Sequence, residues 1–570
     1  MKHYTTERSQ QIILALLKSH GIRKVVASPG TTNVTLVGSM QNDPWFEMYS
    51  CVDERSAAYM AVGLAAQSGE PVVLTCTGAT ASRNYLPGLT EAYYRKLPVL
   101  AITSNQGREK IGHLVAQNID RRSLPDDVVR ISVNIPVCKD ETDEWNAMVE
   151  VNRAVLELKR HGGGPAHIDV ATTYSTDFSV KELPSVRVME RITCSDVFPE
   201  ISVKGPVAVF VGAHHEWTEG QTEALDLFCE RNNAVVLCDH TSGYHGKYRV
   251  NFSLVAGQNS WRSDLLKVGL MIHVGEVSGD YYTMRMRPAE VWRVSPDGEI
   301  RDTFRKMTKV FEMDEETFFR KYSEGKASDD SLLKIYQDEC SKVASALPEL
   351  PFSNIWAASQ AAPLLPEGCV LHLGILNTLR AWNFFELSAS VQTASNVGGF
   401  GIDGDMSSLV GAALADNSRL FFCAVGDLAF FYDMNVLGNR HVPSNVRILL
   451  INNGRGTEFR NYGHVCHRWG SEADRYMAAA GHNGDSSACL VRHFAEDLGY
   501  DYMCASGKSE YVEQLKSFLS PQMTGRPMVF EVFTDSELES QALEMTLNCM
   551  VDKAYVLKKH VGNAIKGIIK

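Results

Sequence analysis

Short apolar runs alternate with helix-period stretches along nearly the whole chain. From Ile22 to about Thr173 the runs "KVVASPG", "WFEMYSCV", "PVVLTCTG", "LPVLAITSN" and "PAHIDVA" read as strands, and their near-continuous apolar character predicts a parallel sheet covered on both faces. Before them, Ile12, Ile13, Leu16 and Leu17 share one face of a predicted helix, with Thr5 or Thr6 as its cap and Gly21 as its stop. A polar stretch, "YSTDFSVKELPSVRV", reads as a linker. A second α/β unit follows, with strands "GPVAVFVGAHH", "NAVVLCDHTSG", "VGLMIHVGEVSG" and "EVWRVSPDG". The charged, helix-rich segment 301–347 reads as the next connection, and a third unit carries "CVLHLG", "RLFFCAVGD", "VRILLINN" and "PMVFEVFTD". The expected architecture is α/β: three doubly wound parallel-sheet domains, at 1–180, 190–345 and 350–570.

Composition narrows the function classes. The 570 residues are 44% hydrophobic and 22% charged, and a net charge of −12 argues against non-specific nucleic-acid binding. The N-terminus has no uninterrupted apolar core of the signal-peptide kind, and no run reaches the roughly 18 apolar residues that span a membrane. Thirteen cysteines without a CxxC pair fit reduced thiols and no zinc site. A cytoplasmic location is the expectation. The basic tail after Asp552, "KAYVLKKHVGNAIKGIIK", reads as a solvated terminal helix.

The most informative stretch is "AVGDLAFFYDMNVLGNRHVPSNVRILLINNGRG", residues 424–456. One strand ends in Gly426-Asp427, a helix follows, and a second strand ends in Asn452-Asn453. Strand–helix–strand brings both ends to the carboxyl edge of a parallel sheet, the usual ligand crevice of an open α/β fold. A carboxylate, an amide oxygen and a nearby carbonyl are hard oxygen ligands that suit Mg²⁺ shared with substrate phosphates. Gly426 removes bulk beside such a phosphate, and the following helix N-terminus adds its dipole.

This spacing resembles the thiamine-diphosphate (ThDP) signature of the decarboxylase and acetohydroxyacid-synthase superfamily. Leu428, where most members have Gly, and the following "FFYDMN" are similar to the branch that makes succinyl-enolpyruvyl-hydroxycyclohexene-carboxylate (SEPHCHC) for menaquinone. The resemblance covers essentially the whole chain and implies the order pyrimidine-binding, middle and diphosphate-binding domain. It implies Asp427 and Asn453 as metal ligands by side chain and Arg455 by its carbonyl. It also explains "VDERSAAYMAVGLAAQSG", residues 52–69, where a single acid, Glu54, opens a helix of small residues. By the match, Glu54 hydrogen-bonds N1′ of the aminopyrimidine; held there, it favours the imino tautomer that takes the proton from thiazolium C2. The small residues behind Glu54 would let a second subunit's helix approach, so a homodimer or homotetramer with shared sites is implied.

Other positions follow from the same match. Gly78, Thr80 and Asn84 in "TGATASRN" look like the loop over the reactive centre, and Gln117 matches a catalytic glutamine facing thiazolium and substrate. Gly399 and Ile402 in "SNVGGFGIDGDMSS" match the segment that holds the bent cofactor. His113, His464 and His467 are candidate proton shuttles. No convincing flavin-binding stretch is present, so FAD is not expected beside ThDP and Mg²⁺.

The departures bear on substrate. Where the menaquinone branch has arginines, this chain has Thr31–Asn33, Ser104–Gly107 and Val397, and only Arg380 falls at a carboxylate-binding arginine. Bidentate arginine–carboxylate pairs are strong when desolvated. The expected reaction is therefore decarboxylation of a small 2-oxo acid, with transfer of the acyl carbanion equivalent to a carbonyl acceptor or a proton. "FTDSELESQAL" resembles ThDP enzymes of surface-polysaccharide pathways. The alternatives are SEPHCHC synthesis from 2-oxoglutarate and isochorismate, an acetolactate-synthase-like reaction, and a non-catalytic scaffold.

Overall fold

The structure, a computed structural model, describes residues 3–324, 329–553 and 555. The chain forms two compact units, one of residues 1–197 with 298–312 and one of 198–297 with 313–570. In unit 1 the strands β1 (Lys24–Ala27), β2 (Glu47–Ser50), β3 (Val72–Cys76), β4 (Val99–Asn105), β5 (Ser132–Ile135) and β6 (Ala166–Ala171) form a sheet of order β2-β1-β3-β4-β6-β5. Every pairing in it is parallel. β3, β4 and β6 are buried along their full length, as a sheet covered on both faces requires. β7 (Glu190–Thr193) follows the polar linker.

Unit 2 contains β8 (Val207–Val211), β9 (Ala234–Cys238), β10 (Arg249–Val250), β11 (Lys267–Val274) and β12 (Arg287–Ser295), ordered β10-β9-β8-β11-β12. The next strand, β13 (Met307–Glu312), belongs to unit 1 and pairs in parallel with β7. Unit 2 continues with β14 (Val370–Leu373), β15 (Gln392–Ala394), β16 (Phe421–Gly426), β17 (Val446–Asn452), β18 (Asp501–Ala505) and β19 (Met528–Phe533). These form a second all-parallel sheet of six strands, β15-β14-β16-β17-β19-β18. The architecture is thus the α/β, parallel-only one that the apolar pattern predicts. Among the described residues no helix is long and apolar enough to cross a membrane.

Three local expectations are corrected. The first helix, Arg8–Ser19, has Glu7 and not Thr5 or Thr6 at its N-cap. Glu7 instead turns its carboxylate to the linker, accepting from Thr172, Thr173 and Ser175. Segment 301–347 is not only helical, because Met307–Glu312 is the strand β13. Finally, Ala57, Ala58, Ala61 and Ala65 do not await a second subunit: they are buried in unit 1 against Tyr85, Leu89 and Ala92. Helix Leu86–Tyr94 covers them, with Gly88 so close that a Cβ there would sit 2.5 Å from Ala58 Cβ. The opposite face of helix Glu54–Ser68 leaves Tyr59, Met60 and Gly63 exposed. The basic tail, apart from Lys553 and Tyr555, lies outside the described residues.

Candidate active site

The centre of the site is the carboxyl edge of the last sheet. β16 and β17 are parallel neighbours with Gly426 opposite Ile451, so Asp427 and Asn453, each just beyond a strand end, lie side by side. Helix Asp427–Asp433 begins at the acid itself, with Gly426 as its N-cap and open space where a Gly426 side chain would stand. Asp427 is buried and accepts from the backbone N–H of Leu428 at 2.7 Å and of Asn453 at 3.2 Å. Burial nevertheless pushes its carboxyl up to about 6 against those backbone donors. Among the described residues no side-chain cation is one of its hydrogen-bond partners. Asn453 Oδ1 accepts from the Thr457 hydroxyl at 2.7 Å, which fixes the amide's orientation. The Arg455 guanidinium donates to Asp474 at 2.6 Å, away from any ligand role, while its carbonyl accepts from Thr457 N at 2.9 Å. A buried carboxylate short of positive charge, beside amide and carbonyl oxygens, fits a hard divalent ion.

Ile402, Gly426, Asp427, Leu428, Asn453 and Arg455 all line one cleft of ≈ 120 Å³, together with Glu458. Gly399 does not line it; it is exposed in the preceding loop, with nothing within 4 Å of where its Cβ would be. Arg380, on helix Asn377–Trp382, lines an adjoining cavity with Asn453 and Thr457. Its guanidinium is already engaged: Nη1 donates to Glu458 Oε2 at 2.8 Å and Nη2 to Glu458 Oε1 at 3.1 Å. Burial pushes the Glu458 carboxyl up, but the Arg380 hydrogen bonds and charge win and hold it below the usual range. Sequence reasoning missed Glu458, since an acid in "RGTEFRNYG" carries no sign of a partner 78 positions earlier.

Unit 1 carries the remaining site residues. Glu54 is half-buried in the first turn of its helix, whose N-cap Asp53 accepts from Ser56 N at 2.8 Å. After β3 the chain turns sharply: Ala79 sits at φ 49°, ψ −121°, and Thr80 opens the short helix Thr80–Asn84. Thr80 and Asn84 are exposed, whereas Gly78 is buried. A Cβ on Gly78 would lie 2.5 Å from the carbonyl oxygen of Gln117, so only glycine lets the two loops meet. Gln117 itself is exposed, at φ 62°.

Beneath these loops lies a second residue that the sequence did not single out. Arg121, 1% exposed, pairs with Asp169 at 2.8 Å and donates to the carbonyls of Ser104 at 3.0 Å and Thr77 at 3.4 Å. It thereby clamps the ends of β3 and β4 to β6 below Gly78 and Gln117. Of the histidines, His113 is exposed. His464 accepts from Cys466 N at 3.1 Å as a helix cap, and His467 Nδ1 is 2.9 Å from Arg460 O. The two are held in local structural bonds.

In comparison with known proteins, residues 8–124 match the family described as "Thiamine pyrophosphate enzyme, N-terminal TPP binding domain". A protein of Phocaeicola vulgatus named 2-succinyl-5-enolpyruvyl-6-hydroxy-3-cyclohexene-1-carboxylate synthase is 31% identical over 95% of this chain and 98% of its own length. A protein of the same name from Bacteroides thetaiotaomicron is 30% identical over the same shares, and one from Flavobacterium psychrophilum is 25% identical over 94% and 97%.

Proposed function

Since the chain belongs to the ThDP-dependent enzymes, on the branch of the SEPHCHC synthases, we propose that it decarboxylates a 2-oxo acid and joins the remaining acyl unit to an acceptor. ThDP, when bound, supplies the electron sink that receives the electrons of the broken carbon–carbon bond. The chain's own residues do the rest. Asp427 and Asn453 by side chain, and Arg455 by its carbonyl, would hold Mg²⁺. Gly426 and Leu428 would border the diphosphate, and Ile402, which lines the same cleft, would support the aminopyrimidine. Gly78, Thr80 and Asn84 would border the reactive centre. Glu54 would hold a proton at the aminopyrimidine and Gln117 would orient the substrate, with the sites shared in a homodimer or homotetramer.

The observation that carries this reading is the buried, cation-poor Asp427 beside Asn453 on neighbouring strand ends. For the substrates, the relatives' common name favours SEPHCHC synthesis, from 2-oxoglutarate and isochorismate, over transfer from a small 2-oxo acid. The test is product formation from that pair with ThDP and Mg²⁺, read by mass spectrometry and CO₂ release. The second reading, a less acidic pair such as pyruvate and a carbonyl acceptor, is favoured by one observation: Arg380 already holds a carboxylate, that of Glu458. Release of CO₂ from pyruvate with none from 2-oxoglutarate would decide for it.

A further inference from the structure

Arg380 and Glu458 meet fork on fork, through two hydrogen bonds of 2.8 and 3.1 Å, with side chains only 13% and 24% exposed. Two amides fix the pair in place. Asn377 Oδ1 accepts from Arg380 Nη1 at 3.0 Å, and Asn461 Nδ2 donates to Glu458 Oε2 at 3.1 Å and to Asn377 Oδ1 at 3.0 Å. Glu458 lines the same cleft as Asp427 and Leu428, one residue beyond the Thr457 whose hydroxyl orients Asn453. Arg380 lines the adjoining cavity, and the one cation that lines the Asp427 cleft among the described residues is Arg455, whose guanidinium Asp474 takes. The Arg380–Glu458 pair is therefore charge-balanced before any substrate enters, in contrast to Asp427. Glu458 takes the end-on edge of the guanidinium, Nη1 with Nη2, leaving a second carboxylate no unpaired charge to meet there, and expelling Glu458 would strand a desolvated charge.

We infer that Glu458 is a specificity-determining residue: by filling the Nη1/Nη2 edge of Arg380 and neutralising its charge it turns this corner against a substrate carboxylate and toward an uncharged, hydrogen-bonding group such as a hydroxyl. The inference rests on the carboligase reading of the site but not on the identity of the acceptor. The pair offers a hydroxyl an accepting oxygen from Glu458 and donating N–H groups from Arg380, which a lone arginine would not do.

The test compares 2-oxoglutarate with pyruvate, donors that differ by one distal carboxylate, in the protein loaded with ThDP and Mg²⁺. In Glu458→Gln the ratio of kcat/KM for 2-oxoglutarate to that for pyruvate should rise at least tenfold, and calorimetric affinities of the two acids should shift the same way. Adding Arg380→Met should cancel the rise. A ratio unchanged in Glu458→Gln, or one moved toward pyruvate, overturns the inference. Should that variant not fold, Arg380→Met/Glu458→Leu replaces the pair by apolar side chains. Its ratio should stay within threefold of wild type, whereas a tenfold loss of 2-oxoglutarate preference would mean that Arg380 serves a substrate carboxylate despite Glu458. Absence of CO₂ from both donors in protein that binds ThDP overturns the carboligase reading instead, and the calorimetric ratio still reads the role of Glu458.

Discussion

Asp427 is a buried carboxylate whose hydrogen-bond partners among the described residues are backbone N–H groups, and burial pushes its carboxyl up to about 6. Asp427→Ala should lose ThDP and Mg²⁺ binding together in calorimetry, by more than the about 10–100-fold that removing a mere supporting partner of a ligand costs. Undiminished ThDP affinity in that variant would remove the metal site. Glu54→Gln should keep the fold and much of the cofactor affinity, yet slow C2–H exchange of bound ThDP by about 10²-fold, the scale of lost acid–base help. Proton exchange followed by NMR at the wild-type rate would exclude Glu54 from that step. Asp427 and Asn453 are legible in the sequence through their strand–helix–strand spacing, whereas Glu54 is singled out only by the resemblance of its stretch to the family's motif. Glu458 and Arg121 are not, because each draws its meaning from a partner distant along the chain. His167 shows the same dependence on tertiary structure. It is buried with Nε2 2.8 Å from Thr103 Oγ1 and Nδ1 2.8 Å from Ser132 Oγ. Burial lowers its pKa from 6.5 to about 4, although Asp169 pulls the other way. Below pH 6.5 the unfolded chain takes up the proton and the folded one does not, so stability is present above 6.5 and is lost as pH falls toward 4. The loss is on the order of 3 kcal/mol, and urea melts of His167→Gln should lack that part of the slope.

At the scale of elements, the closeness of two helices is set by one glycine. Helix Glu54–Ser68 turns its alanines onto helix Leu86–Tyr94, and Gly88 meets Ala58 at a distance no Cβ could share. Gly88→Ala should cost about 1–3 kcal/mol, the usual penalty of overpacking, and denaturant melts would show it as a lower midpoint at unchanged slope. A neutral result would mean that the helices separate without loss. The alanine stripe is visible in the sequence, but its partner is not. Periodicity says which residues share a face, and only packing says whether that face meets its own chain or another. The strand β13 was hidden for a related reason: "MTKVFE" lies in a charged stretch, and its pairing is with β7, more than a hundred residues earlier.

At the scale of the whole molecule, the exposed side of helix Glu54–Ser68 presents Tyr59 at 48% and Met60 at 40% exposure, with Val52 at 77% just before it. Apolar side chains clustered beside a candidate catalytic acid suit a subunit contact. Light scattering should therefore find a homodimer or homotetramer, and Tyr59→Glu/Met60→Glu should shift it toward monomer with loss of turnover. A monodisperse wild-type monomer that still turns over substrate would refute shared sites.

The sequence by itself determined the α/β class, the buried strands and the pairing of Asp427 with Asn453, because these follow from local periodicity and from a spacing that strand–helix–strand geometry makes unambiguous. Tertiary structure alone decided what covers the alanines of helix Glu54–Ser68, which carbonyls Arg121 clamps, and that Arg380 is already occupied by Glu458. Those are matters of which long-range partner a side chain meets. A charged or small residue looks the same in sequence whether it faces water, a neighbour or a substrate, and the fold's free energy settles the choice by burying the charge with its partner.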